Sequence, residues 1–277
     1  MTRNAEPAVK IRTNRGHPPA DRPALVFVHG AGGTGSHWLG LYKTLAKQFD
    51  LVIVDLPGHG DSAGPLLDSV GAYADWLARV VSSEGLEPAR TFVVGHSMGG
   101  AVAIEYALRH ACAGLVLVAT GARLRVSPAV LDFFTAEHAG DWTATAAALF
   151  YGARATPEML RLAQVELGKT PRSVYAADFA MCDRWDALDR VASIRLPVLV
   201  LSGSADALTP PKYARFLAEK IAGARLVTLE GAGHMLMIEA AGAVSAAVAD
   251  FVNDVFPVRS ADPATAATSN ALKEARE

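Results

Sequence analysis

The sequence is short of cysteine, of net charge and of long apolar runs. Two cysteines, Cys112 and Cys182, make no disulfide framework in a chain of 277 residues. No Cys-x-x-Cys or His-Glu-x-x-His spacing marks a metal centre, so neither a metal nor a cofactor is expected. A formal net charge of -2 offers little to a polyanion, which argues against a nucleic-acid partner. No uninterrupted apolar stretch reaches the length of a bilayer span. Residues 1–7 lack the apolar core of a signal peptide, and a cytoplasmic location is the expectation. What the chain does have is apolar content. At 51% it supports a sizeable core and rules out global disorder, and the length suits one large α/β domain with an insertion or two small domains.

Short apolar strands alternate with helical stretches. Strands are expected at Leu25–Val28, Leu51–Val54, Thr91–Val94, Gly114–Val118, Pro197–Leu201 and Arg225–Leu229, with an edge strand near Val9–Arg12. Helices are expected at His37–Phe49, Ser69–Val81, from Gly100, at Pro210–Ile221 and near Glu239–Phe251. That rhythm implies crossover connections and a mostly parallel sheet. It stops between about Arg123 and Arg190, where alanine-rich helices and loops replace strands. Residues 1–122 and 191–256 are thus expected to form a core, residues 123–190 an insert, and residues 257–277 a disordered or loosely helical tail.

The most telling residues are Gly95-His96-Ser97-Met98-Gly99. Gly-x-Ser-x-Gly between a strand and a helix is the context of a nucleophile elbow, in which the serine takes a strained backbone and the glycines avoid collision. A small-residue packing turn is the alternative. A serine hydroxyl needs a base, and the base needs an orienting acid. In the elbow architecture these follow in the order Ser, acid, His. Asp206 and His234 lie in loops leaving successive strands, at the carboxyl ends where open sheets bind ligands. Asp183, Asp186 and Asp189 are rival acids in the insert. Asp206 also has a turn-forming or capping reading. His29, His59 and His96 are expected to bond backbone or pack near the site, and His17, His37, His110 and His138 to be surface or helix residues. The oxyanion hole is expected to use the backbone N–H of Met98 and of Ala31, with Gly32 next in line. A phosphate-cradling reading of His29–Gly33 fails, because no Gly-Lys-Ser/Thr follows.

Taken together, His29-Gly30-Ala31-Gly32-Gly33, Asp55-Leu56-Pro57-Gly58-His59-Gly60-Asp61-Ser62, Gly95–Gly100, Gly203–Asp206 and Gly233-His234 resemble the α/β-hydrolase superfamily from His29 to about Phe256. The resemblance implies an eight-stranded, mostly parallel sheet flanked by helices, or one slightly reduced at its amino-terminal strands. It also implies a helical cap formed by the insert and a Ser97-His234-Asp206 triad. Ser97 stands where dehalogenating and epoxide-opening relatives carry aspartate, which leaves acyl chemistry. Some aromatic side chains of the insert are expected to line a cavity and more of them to form the insert's own core. The substrate-binding candidates are Phe133, Phe134, Trp142, Phe150 and Trp185, suggesting an apolar acyl or aromatic substrate. The leading expectation is a hydrolase of small or medium uncharged esters. Lactonase, carbon–carbon bond hydrolase, thioesterase, acyltransferase and cofactor-free perhydrolase chemistries are alternatives, as is a hydrolase-like ligand-binding protein.

Overall fold

The computed structural model describes residues 9–15, 22–135 and 141–257. The expected tail beyond Pro257, and His17 and His138, lie outside them. Among the described residues the strands are β1 (Ile11–Thr13), β2 (Ala24–Val28), β3 (Asp50–Val54), β4 (Thr91–His96), β5 (Gly114–Val118), β6 (Val198–Gly203) and β7 (Arg225–Leu229). They form one seven-stranded sheet in the order β1-β3-β2-β4-β5-β6-β7. This is the reduced form of the eight-stranded expectation. The amino-terminal edge is the short β1, antiparallel to β3 with Ile11 opposite Val54. The other neighbours are parallel.

The helices are α1 (Leu39–Leu45), α2 (Val70–Ser83), α3 (Met98–Arg109), α4 (Pro128–Thr135), α5 (Trp142–Phe150), α6 (Pro157–Leu167), α7 (Arg172–Arg184), α8 (Pro211–Lys220), α9 (Leu236–Glu239) and α10 (Ala241–Val255). Local chemistry starts several of them. Ser69 caps α2 by accepting the Ala72 N–H, and Thr156 caps α6 ahead of Pro157, whose ring suits a first helical turn. The helix expected over His37–Phe49 is instead a 3₁₀ turn, Gly35–Trp38, followed by the shorter α1.

The central strands are buried on both faces, so their apolar runs divide by alternation. Val26, Val28, Val52, Val54, Val93, Leu115 and Leu117 face a core layer shared with α2, α3 and α8. Leu25, Phe27, Leu51, Ile53, Phe92, Val94 and Val116 face the layer built with α1 and α10. Helices α4 to α7 lie between β5 and β6 in the chain, and none of the described residues between those strands belongs to the sheet. The segment is closed at its base: the Ala187 N–H donates to the Ala122 carbonyl at 2.8 Å, and Arg123 pairs with Asp186 at 3.3 Å. The parallel register brings the ends of Val28, His96, Val118, Gly203 and Leu229 to one edge of the sheet. No helix of the described residues is long and apolar enough to cross a membrane.

One expectation fails here. Trp185, a candidate for substrate contact, packs in the core layer of α2 and α3, where its indole N–H donates to the Glu105 carboxylate at 2.9 Å. Glu105 is buried and also paired with Arg190, so the indole closes a structural polar cluster. Trp185→Phe is expected to lower stability by about 1–2 kcal/mol in urea unfolding, through the lost bond to a buried carboxylate. The KM for any substrate the protein turns over is expected to stay unchanged.

Candidate active site

Ser97 joins β4 to α3 with φ 53° and ψ −116°, a conformation costing on the order of 1–3 kcal/mol for a non-glycine residue. Its neighbours explain why it persists. A Cβ on Gly95 would stand 2.1 Å from the Gly99 carbonyl oxygen, and one on Gly99 would stand 2.3 Å from that of Val28. Strand and helix therefore meet backbone to backbone. The Ser97 N–H donates to the Val118 carbonyl at 2.9 Å, and the Ser97 carbonyl accepts Thr120 Oγ1 at 2.8 Å and the Gly100 N–H at 2.9 Å. The residues around it are buried, while Ser97 is half-buried and lines a cavity.

His234 faces the same cavity, with its Nδ1 2.9 Å from Asp206 Oδ2. Burial pushes the Asp206 carboxyl up, but the positive charge of His234 and hydrogen bonds from His234 and Thr209 outweigh it and hold it down to about 2. An ionised carboxylate only accepts, so Nδ1 carries a hydrogen, and in the neutral imidazole the lone pair is then on Nε2. Asp206 Oδ1 takes the Leu208 and Thr209 N–H groups at 2.9 Å, and Oδ2 takes the Thr209 hydroxyl at 2.7 Å. The turn-forming reading of Asp206 thus holds together with its contact to His234. Two of the rival acids are engaged elsewhere, Asp183 with the Val126 N–H and Asp186 with Arg123, and Asp189 is exposed.

The loop of His234 is bolted to the inserted helices. The N–H groups of His234 and Met235 donate to the Phe150 carbonyl at 2.9 and 3.2 Å, and Glu239 accepts from both Gly152 and Gly233. Burial raises the Glu239 carboxyl above its ordinary value despite those bonds. His96 donates from Nε2 to the His234 carbonyl at 3.0 Å. Burial, reinforced by His234, keeps His96 neutral.

The Gly30–Gly33 loop is a turn closed by the Gly33 N–H on the Gly30 carbonyl at 3.0 Å. The same carbonyl is 2.9 Å from His29 Nδ1, while His29 Nε2 accepts the Leu56 N–H at 3.0 Å. In a trans peptide the N–H points opposite the carbonyl, so the Ala31 N–H is directed away from these partners, and Ala31 lines the cavity. Gly32 is a correction. Its N–H donates to Asp178 Oδ2 at 2.8 Å and is not free for a substrate. Met98 opens α3, where a helix leaves its first N–H groups without internal acceptors.

The cavity has a volume of about 480 Å³. Phe150 lines it, together with Tyr151, Met159, Leu162, Leu167, Tyr175 and Phe179. Phe133, Phe134 and Trp142 do not. Phe134 is buried and stacks on Tyr175 with ring centres 5.2 Å apart, while Phe133 and Trp142 flank it and carry the Arg172 guanidinium. These three form the insert's own core. His37, expected to be a surface or helix residue, lies in the 3₁₀ turn Gly35–Trp38 and borders the cavity, where burial lowers it to about 4. Asp178, Tyr175, Thr209, Thr120 and Glu239 were not found from the sequence. Of these only Thr209, three residues after an aspartate in a turn, carried a local signal. Gly95→Ala is expected to lower stability by about 3 kcal/mol in urea unfolding, because the added methyl meets backbone rather than a movable side chain.

The alpha/beta hydrolase family model matches residues 25–247. The pimeloyl-acyl-carrier-protein methyl ester esterase of Aeromonas hydrophila subsp. hydrophila is 31% identical over 228 residues, covering 76% of this chain and 88% of its own. A thermophilic esterase from Thermogutta terrifontis is 26% identical with a TM-score of 0.78, covering 89% of this chain and 93% of that one. An enol-lactonase from Burkholderia xenovorans LB400 is 26% identical with a TM-score of 0.77, covering 88% of this chain and 96% of that one. A parallel sheet with a strained serine after β4, matched by a family model over most of its length, has one reading: the chain belongs to the alpha/beta hydrolase family.

Proposed function

We propose that the protein is a serine hydrolase that cleaves carboxylic esters of small to medium, largely apolar substrates through an acyl-enzyme on Ser97. The observation that carries this reading is the convergence of three features on one cavity: a strained, half-buried serine, an imidazole held at its Nδ1, and an ionised carboxylate behind that imidazole. In this mechanism His234 Nε2 takes the Ser97 proton as Oγ attacks the carbonyl carbon. The Met98 and Ala31 N–H groups receive the resulting oxyanion. Its collapse expels the alcohol, which leaves with the proton from His234. Water then repeats the sequence and releases the acid. Residues 123–190 act as a cap over the core of residues 1–122 and 191–256.

The cavity wall supports an uncharged substrate. Arg12 is paired with Asp55 at 3.2 Å, Asp61 with Lys10 at 4.0 Å, and Lys169 with Glu166. An ionic ligand would find no spare countercharge among these. The volume lies within the range of small-molecule sites. A lactone is an ester whose alcohol remains tethered, and the likeness to an enol-lactonase makes ring-opening the second reading.

Labelling of Ser97 by a fluorophosphonate, followed by turnover of a chromogenic ester panel and a lactone panel, tests the proposal. Labelling without turnover of any acyl compound would point to a ligand-binding protein. Ser97→Ala is expected to reduce kcat by roughly 10⁴-fold or more with the fold intact. Asp206→Asn is expected to reduce it by about 10⁴-fold, while Asp186→Asn stays near wild type. The reverse pattern would move the acid to Asp186. Within the Ser97, His234 and Asp206 set one group governs the acid side. Asp206 remains charged down to about 2, so there only protonation of His234 removes the base. A plot of log kcat/KM against pH is therefore expected to fall with unit slope toward acid; a slope of two would mean that a second group must be ionised.

A further inference from the structure

Asp178 is a buried ionisable residue that the acyl chemistry does not use. It belongs to α7 and is only 2% exposed, yet it touches two core loops far from it in sequence. Its Oδ2 accepts the Gly32 N–H at 2.8 Å and lies 2.7 Å from His59 Nε2. His59 Nδ1 is 3.0 Å from the Pro57 carbonyl oxygen, which can only accept, so Nδ1 carries a hydrogen. A second proton then lies between Nε2 and Oδ2. Whichever atom holds it, the pair sums to zero charge. This matters because a lone carboxylate behind the Gly30–Gly33 loop would oppose an anion forming in front of it.

The turn itself needs this partner. Gly32 has φ 60°, the sign that a type II turn requires at its third residue. The other common form has its central peptide rotated by roughly half a turn, which would aim the Ala31 carbonyl at Asp178 in place of the Gly32 N–H. Two oxygens facing each other repel, so Asp178 selects the observed form. Tyr175, one turn earlier on the same face of α7, presses on the Gly32 backbone, where an added Cβ would fall 2.1 Å from its ring.

We propose that Asp178 is a positioning residue that holds the loop carrying the Ala31 N–H in its oxyanion-receiving form, with His59 supplying the proton that cancels the carboxylate charge. The proposal rests on the ester-hydrolase reading of Ser97. Its test compares Asp178→Ala and Asp178→Asn in kcat and KM on an ester, in the rate of fluorophosphonate labelling, and in amide hydrogen exchange at Gly32. The alanine variant is expected to lose roughly ten- to a hundred-fold in both kcat and labelling rate, with KM little changed and Gly32 exchange accelerated. The asparagine variant is expected to recover most of that loss, because a carboxamide oxygen in the place of Oδ2 still accepts the Gly32 N–H and the neutral amide carries no charge for His59 to cancel. A folded alanine variant with wild-type kcat, or an asparagine variant no better than alanine, overturns the proposal. If the alanine variant does not fold, Asp178→Ser decides in the same way, since its hydroxyl is too short to reach Gly32. A wild-type protein that neither takes the label at Ser97 nor turns over any ester sinks the hydrolase reading. An active wild type with an equally active Asp178→Ala sinks only the positioning role.

Discussion

The site depends on a steric constraint, the backbone-to-backbone approach of β4 and α3 around Ser97. Gly95 and Gly99 allow it because each would place a Cβ inside a carbonyl oxygen of the neighbouring segment. The serine between them has no relaxed conformation that keeps both contacts. It stays at positive φ because a fully buried strand and a helix buried along its first two turns fix its two ends. The strain is local and small beside the apolar area that holds it. Its product is a hydroxyl at the rim of the sheet, in the plane where the loops after β2, β6 and β7 also emerge.

The inserted helices are bonded into that rim. Helix α7 reaches the Gly30–Gly33 loop through Tyr175 and Asp178, and the end of α5 reaches the His234 loop through backbone bonds and Glu239. Glycines sit at both contacts for one reason. At Gly32 and at Gly152 the neighbour that excludes a side chain is a part of the protein, a tyrosine ring in one case and the Gly233 backbone in the other. Small residues in the loops of this fold thus serve the packing of insert on core as much as the approach of a ligand.

Much of this was legible in the sequence because it is written in short-range patterns. Apolar runs of four or five residues located β2 to β6 to within two residues, since a strand buried on both faces tolerates little else; the half-exposed β7 was located at Arg225–Leu229. Ser97, Asp206 and His234 were legible because each follows a strand and a parallel sheet sends all such loops to one edge. The relation of Asp178 to Gly32 was not legible, because the two are 146 residues apart and neither belongs to a repeating pattern. The lining of the cavity was equally hidden. Aromatic content in the insert says that side chains will be buried, not which way each helix turns. Thus Phe150 reached the cavity, Phe133, Phe134 and Trp142 packed on one another, and Trp185 went to a carboxylate in a different layer.

The bonds between Phe150, Gly152 and the His234 loop have a consequence for traffic through the cavity. The frame on the α5 side cannot swing outward without dragging the imidazole away from Asp206, so a doorway there would dismantle the machinery each time it opened. Helix α6 carries no such tether to the imidazole among the described hydrogen bonds, and Leu162 on it stands 49% exposed at the cavity wall. A way in on the α6 side would leave the imidazole and its carboxylate undisturbed.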